Sequence, residues 1–125
     1  MSDVGHILIV EDDFAIRETV ADVLQGEGFE VTCAANGAEA LQRLEDGGPQ
    51  PGLILLDLMM PVMDGWAFRS AQRQDPRISD IPVVVTSAGA GAEQSANRLE
   101  PAAFLPKPFE LDQLLDLVGR HCGRH

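Results

Sequence analysis

Positive charge is scarce in this chain. Its 125 residues carry twenty Asp and Glu against nine Lys and Arg, a formal net charge of −11. Nucleic-acid binding needs a basic footprint, so that role is disfavoured. An anionic membrane surface is disfavoured on the same ground. Lysine is scarcest of all, since Lys107 is the only one. Long apolar runs are also missing, and none approaches the roughly 20 residues of a membrane span. Met1-Ser2-Asp3 lacks the basic start of a signal peptide. The two cysteines, Cys33 and Cys122, form no metal or redox spacing. These features read as a cytoplasmic protein with free thiols. No repeat or internal linker divides the chain, which reads as one domain over residues 1–125. With 45% hydrophobic and 23% charged residues, the composition is that of a folded chain. Its length suffices to bury a core without disulfides.

Apolar runs and helical patterns alternate along the chain. Ile7–Val10 is a short β-branched run followed by acids. From Phe14, the residues Ile16, Val20, Val23 and Leu24 fall on one helical face. Asp13 suits the N-cap, and Gly26 and Gly28 end that helix. Phe29, Val31 and Cys33 alternate with polar residues, as in a half-exposed strand. Asn36 caps a second helix, with Glu39 placed as in a capping box. Ala40, Leu41 and Leu44 form its buried stripe, and residues 47–51 read as a loop. Leu53–Leu56 is apolar throughout, which suits a strand covered on both faces. Asp64 caps a third helix that reaches Gln74, before Pro76. Val83–Thr86 is a fourth strand, Ala92–Leu99 a short helix, and Ala103–Leu105 a fifth strand. A last helix puts Leu111, Leu114, Leu115 and Val118 on one face. Such alternation predicts an α/β fold, a parallel sheet with helices on both faces. Ligands of such sheets sit at the carboxyl ends of the strands.

The residues that end the runs therefore carry most weight. They are Glu11-Asp12-Asp13, Asp57, Thr86-Ser87 and Lys107. Two carboxylates ~4 Å apart repel by about 4 kcal/mol at an effective dielectric of ~20. Taken alone, Glu11, Asp12 and Asp13 read equally well as solvated loop acids with a cap among them. Asp57 tips the balance, because it follows an unbroken apolar run. A carboxylate there is costly unless something compensates it. A divalent cation and Lys107 would do so, and oxygen-only donors suit Mg²⁺ or Mn²⁺ better than zinc. His6, His121 and His125 have no partners in the pattern and read as surface residues. Trp66 reads as packing on the third helix and Cys33 as a core strand residue.

Four segments together resemble the receiver domain of two-component response regulators. They are Ile7-Leu8-Ile9-Val10-Glu11-Asp12-Asp13, Leu55 to Gly65 (LLDLMMPVMDG), Ile81 to Ala88 (IPVVVTSA), and Phe104-Leu105-Pro106-Lys107-Pro108-Phe109. The match is to the single-domain, chemotaxis-regulator-like type. It implies a flavodoxin-like doubly wound (βα)5 fold with strand order 2-1-3-4-5 and a core over about residues 5–121. It implies that Asp57 accepts a phosphoryl group from a phosphohistidine of a sensor histidine kinase or histidine phosphotransfer protein. Mg²⁺, with Mn²⁺ as an alternative, would be held by Glu11, Asp12, Asp57 and the backbone carbonyl of Met59. Lys107 would contact the phosphoryl group, Ser87 would bind one of its oxygens, and Phe104 would swing inward as Ser87 moves. Thr86 competes with Ser87, since adjacent strand residues face opposite ways; the motif selects Ser87. The Lys107–Pro108 peptide would be cis. A downstream protein would read the switch, and no small organic cofactor is expected.

Two departures bear on this picture. Only 20 positions separate Ser87 from Lys107, about two fewer than the family pattern, so a short or shifted fourth helix is expected there. Met59 and Gly89 stand where other members carry side chains that position or exclude water, and neither bonds a water. Slow self-dephosphorylation is expected. Two other function classes compete. A haloacid-dehalogenase-type phosphatase needs a second acid two residues past the nucleophile, where this chain has Met59. A phosphorylation-independent adaptor would usually lose the acceptor, the acid pair or the lysine, and all are present. A multiple-turnover enzyme is therefore not expected, and the segment after the last helix is too short for an output domain.

Overall fold

A computed structural model describes residues 5–46, 50–89 and 91–122. The strands are β1 (His6–Val10), β2 (Glu30–Ala34), β3 (Leu53–Asp57), β4 (Val83–Ser87) and β5 (Ala103–Pro106). The helices are α1 (Phe14–Gly26), α2 (Gly37–Glu45), α3 (Gly65–Gln74), α4 (Ala92–Asn97) and α5 (Leu111–Cys122). All the strand pairs are parallel, in the order β2-β1-β3-β4-β5. The fold is the expected flavodoxin-like α/β arrangement. Part of the predicted 47–51 loop lies outside the described residues.

Strand periodicity sorts the core into two halves. Ile7, Ile9, Leu53, Leu55, Val84 and Leu105 face α1 and α5, packing on Val20, Leu24, Leu114 and Val118. Leu8, Val10, Ile54, Leu56, Val83 and Val85 face the other way, toward Ala40, Leu44, Phe68 and Ala96 on α2, α3 and α4. Adjacent strand residues point to opposite faces, so a sheet clad on both sides needs unbroken apolar runs. The order reverses at β1, which pairs with β2 on one side and β3 on the other. A crevice at the carboxyl ends of the strands follows from that reversal.

Short polar side chains start the helices as expected. Asp13 accepts from Ile16 N, Asn36 from Glu39 N and Asp64 from Ala67 N. Each such cap stabilises its helix by about 1 kcal/mol. The α2 capping box is shifted by one residue, since Glu39 accepts from Ala35 N rather than from Asn36. The fourth helix is short, as expected. Its N-cap, Gly91, offers no side chain, and its far end is held from α3. There the buried Arg69 donates to the carbonyls of Leu99 and Glu100, both at 3.0 Å, and to Gln72 at 2.8 Å.

Two sequence expectations need correction. Leu111 was expected on the buried stripe of α5, yet it is 41% exposed. It sits in the first turn of α5, on the wall of a groove with Ile16, Thr19 and Phe109. His6 was expected to lack a partner, yet its Nε2 lies 2.7 Å from Thr32 Oγ1 on the neighbouring strand.

The turn between β3 and α3 leaves no room for a side chain at Gly65. Its amide donates to Leu58 O at 2.9 Å. A Cβ there would meet Asp57 O and Leu58 Cα, both at 2.8 Å. Both are backbone atoms of the chain that carries Asp57. Gly65→Ala should therefore destabilise the protein by roughly 1–3 kcal/mol, the usual cost of overpacking. Urea unfolding checks this, and an unchanged midpoint would contradict the close approach.

Candidate functional site

The carboxyl ends of β1, β3 and β5 bring three oppositely charged side chains into contact. Glu11 follows β1, Asp57 ends β3 and Lys107 follows β5. The Lys107 ammonium donates to Glu11 Oε1 at 2.6 Å and lies 3.5 Å from Asp57 Oδ2. Glu11 and Asp57 are buried, so water screens these charges weakly. Strand register explains the meeting. In β1, β3 and β5 the residues two positions back, Ile9, Leu55 and Leu105, all lie on the α1/α5 face. The lysine backbone is fixed as well, because Lys107 N donates to Ser87 O at 2.9 Å. The Lys107–Pro108 peptide is cis, as expected.

Around this contact the remaining donors are few. Asp57 Oδ1 accepts a long bond from Met59 N at 3.4 Å. Glu11 Oε2 accepts from Asp13 N at 3.2 Å. Asp13 therefore both caps α1 and steadies Glu11 through its amide. The α1 residue Arg17 donates from Nη1 to Glu11 O at 2.8 Å, a contact not foreseen from the sequence. Its only sequence signal is a basic residue one helical turn past the Asp13 cap.

Asp12 completes an acidic cluster. One carboxylate oxygen each from Glu11, Asp12 and Asp57 lies within 4.8 Å of the others. Lys107 pairs with two of these three carboxylates, so the cluster holds more negative than positive charge. Its donors are all oxygen, and Asp12 is exposed, which leaves room for water. That donor set fits a hard divalent cation such as Mg²⁺.

Ser87 and Phe104 both border a neighbouring opening. Together with Lys107 they line a cavity of about 410 Å³ that reaches Gly91 and the start of α4. Thr86 instead lines a small cleft with Glu11, Ile9 and Phe109. The two candidate hydroxyls thus look into different spaces, and only Ser87 shares one with Phe104.

Asp57 is out of its ordinary range. Its pKa is pushed up to about 6, first by burial and then by the charge of Glu11. Lys107 and the Met59 amide pull it back, and Asp12 pushes it further up. Because the folded pKa lies above the unfolded one, ionisation of Asp57 opposes folding. Stability from this group is present below about pH 4 and is lost as pH rises through about 6. Without divalent cation, wild type should lose roughly 2–3 kcal/mol relative to Asp57→Asn from about pH 4 to 7, at about 1.36 kcal/mol per pKa unit. Urea unfolding of both proteins across that range checks this, and a pH-independent difference would contradict it.

Comparison with known proteins identifies the family of this fold. The profile of the response regulator receiver domain matches residues 7–119. The DNA-binding transcriptional regulator NtrC of Escherichia coli (strain K12) is 35% identical over 118 residues, which cover 93% of this chain and 24% of that protein. Response regulator Rre1 of Synechocystis sp. is 36% identical over 127 residues, 99% of this chain and 54% of that protein. The chain thus spans between about a quarter and half the length of these relatives. Among solved structures, chemotaxis response regulator CheY4 of Vibrio cholerae superposes with a TM-score of 0.84 at 31% identity, covering 94% of this chain and 98% of that one. The signal receiver domain of a signal transduction histidine kinase from Syntrophus aciditrophicus gives 0.85 at 30% identity, covering 96% and 91%. An acid cluster at the switch point of a 2-1-3-4-5 sheet, in a chain so matched, has one family home: the chain belongs to the response regulator receiver domains, the phosphoacceptor modules of two-component signalling.

Proposed function

We propose that Asp57 is the phosphoacceptor and that it takes its phosphoryl group from a phosphohistidine of a sensor histidine kinase or histidine phosphotransfer protein. The observation that carries this reading is the buried, under-neutralised Asp57 carboxylate beside Lys107 and Glu11. In the transfer, an Asp57 oxygen forms the new P–O bond and the P–N bond to the imidazole breaks. The imidazole then takes a proton from solvent. Phosphoryl transfer needs positioning and charge neutralisation more than covalent help. Glu11, Asp12, Asp57 and the Met59 carbonyl would hold Mg²⁺ or Mn²⁺, which would supply neutralising charge to the transferring group. Lys107 supplies the chain's own cation, and its fixed backbone keeps the ammonium at the site.

The hydroxyl of Ser87 donates to a phosphoryl oxygen once Asp57 is modified. Its shift vacates space in the shared cavity, and Phe104 turns into that space. The new charge at Asp57 thereby biases a two-state side chain that a downstream protein reads. Residues 1–125 act as a single receiver domain with a core over about 5–121, and no small organic cofactor takes part. Met59 and Gly89 hold no water with their side chains, so hydrolysis of the acyl phosphate is slow.

Incubation with Mg²⁺ and acetyl phosphate should yield one phosphoryl adduct by intact mass, absent in Asp57→Asn and absent with EDTA. An adduct that survives Asp57→Asn would contradict the assignment. Decay of the adduct should quicken in Met59→Asn, and an unchanged decay would remove the account of its lifetime. Crystal structures with and without a beryllofluoride mimic should show different Phe104 rotamers. The same rotamer in both would break the proposed coupling to Ser87.

A further inference from the structure

Val62 is strained and supports nothing in the core. Its φ is 68°, a region where a β-branched side chain is a genuine outlier. Across it, Met63 N donates to Pro61 O at 2.7 Å. That bond makes Val62 the centre of a three-residue γ-turn, of the rarer and strained positive-φ kind. Its side chain is 84% exposed and belongs to neither half of the core. The flanks hold the turn from both ends. Gly37 N donates to Met63 O at 2.9 Å, and Gly65 N donates to Leu58 O at 2.9 Å. Glycine would form the same turn without the Cβ penalty. The fold therefore draws no benefit from the valine side chain, which stands in solvent on the loop that leaves Asp57.

The position of that side chain matters because Asp57 is recessed. A protein that delivers a phosphoryl group to a carboxylate only 4% exposed must cover the rim of the opening. Among the described residues, the large exposed hydrophobics are Phe14, Met59, Val62 and Leu111. Phe14 directly follows Glu11-Asp12-Asp13, and Met59 and Val62 lie on the loop that leaves Asp57. Leu111 opens α5, just beyond Lys107. All of them stand at the carboxyl end of the sheet. Backbone strain of this kind gathers at binding and active sites, and an exposed apolar side chain that a partner covers contributes through the area it removes from water.

We propose that Val62 is a specificity-determining contact for the protein that delivers the phosphoryl group, its side chain presented to that protein by the strained turn. This rests on Asp57 being the phosphoacceptor. A small phosphodonor reaches Asp57 without touching the rim, whereas a protein carrying a phosphorylated imidazole cannot.

The test compares two donors on Val62→Gly, Val62→Ile and wild type. One donor is acetyl phosphate; the other is a panel of autophosphorylated histidine kinase cores. Val62→Gly should raise Tm by a few degrees through relief of strain, less the added freedom of glycine in the unfolded chain. Its labelling by acetyl phosphate should match wild type. Its kcat/KM for transfer from a kinase that labels wild type should fall about tenfold, mainly in KM, as for loss of a buried apolar side chain. Val62→Ile should retain kinase transfer. Equal losses with both donors would overturn the inference, because Val62 would then act through the geometry of the site. Unchanged kinase transfer in Val62→Gly would overturn it too, as would a wild type labelled by acetyl phosphate but by no kinase. Failure of acetyl phosphate to label wild-type Asp57 would instead overturn the phosphoacceptor assignment beneath it.

Discussion

The pairing of Lys107 with Glu11 and Asp57 is the constraint around which this domain is arranged. Two buried carboxylates at the edge of an apolar sheet are costly, and one ammonium holds them together. The ammonium comes from a residue 96 positions away from Glu11, so the pair ties the last strand to the first. Five parallel strands in one register bring those ends to the same edge. Burial, and then the charge of Glu11, outweigh the lysine, so the Asp57 carboxyl sits above its ordinary pKa. An acid held in that state gains from any further positive charge brought to it. Stability and chemistry are therefore opposed at this site. What destabilises the ionised Asp57 in the free protein also favours cation binding.

The surroundings divide this site into two parts. On the α1/α5 side, Glu11, Asp57 and Lys107 share the face of Ile9, Leu55 and Leu105 and form the charged centre. On the other side, Ser87 and Phe104 share a cavity that reaches α4. Lys107 borders both, and its backbone amide bonds directly to Ser87. Arg69 fixes the far end of α4 through two carbonyls. The near end follows Gly89 and Gly91, both at positive φ. The segment that follows α4 is thus tied to α3, while α4 itself begins near Ser87 after glycines at positive φ.

Much of this was legible in the residues, for reasons that differ from element to element. The runs Leu53–Leu56 and Val83–Val85 identify covered strands, because periodicity reports burial on each face. Asp13, Asn36 and Asp64 identify helix starts, because capping is local chemistry. The acids and the lysine at strand ends are placed by topology once a parallel sheet is granted. Contacts that depend on distant geometry were not legible. The His6–Thr32 bond requires β2 beside β1. The burial of Arg69 requires knowing where the carbonyls of Leu99 and Glu100 end up, and a lone arginine on α3 otherwise reads as solvated. Leu111 fits the apolar stripe of α5, yet its turn projects past the core, which periodicity cannot reveal. The strain at Val62 is invisible in the sequence, because a positive φ leaves no mark in a Pro-Val-Met-Asp turn.

The lone lysine allows a direct test of the central pairing. Labelling with ¹⁵N-lysine places a single side-chain amine in the whole protein, so its NMR signal needs no assignment. The account predicts one protected Nζ resonance in the metal-free protein that changes on adding Mg²⁺ and loses its protection in Glu11→Gln. A resonance typical of a freely hydrated lysine, indifferent to both Mg²⁺ and Glu11→Gln, would contradict it.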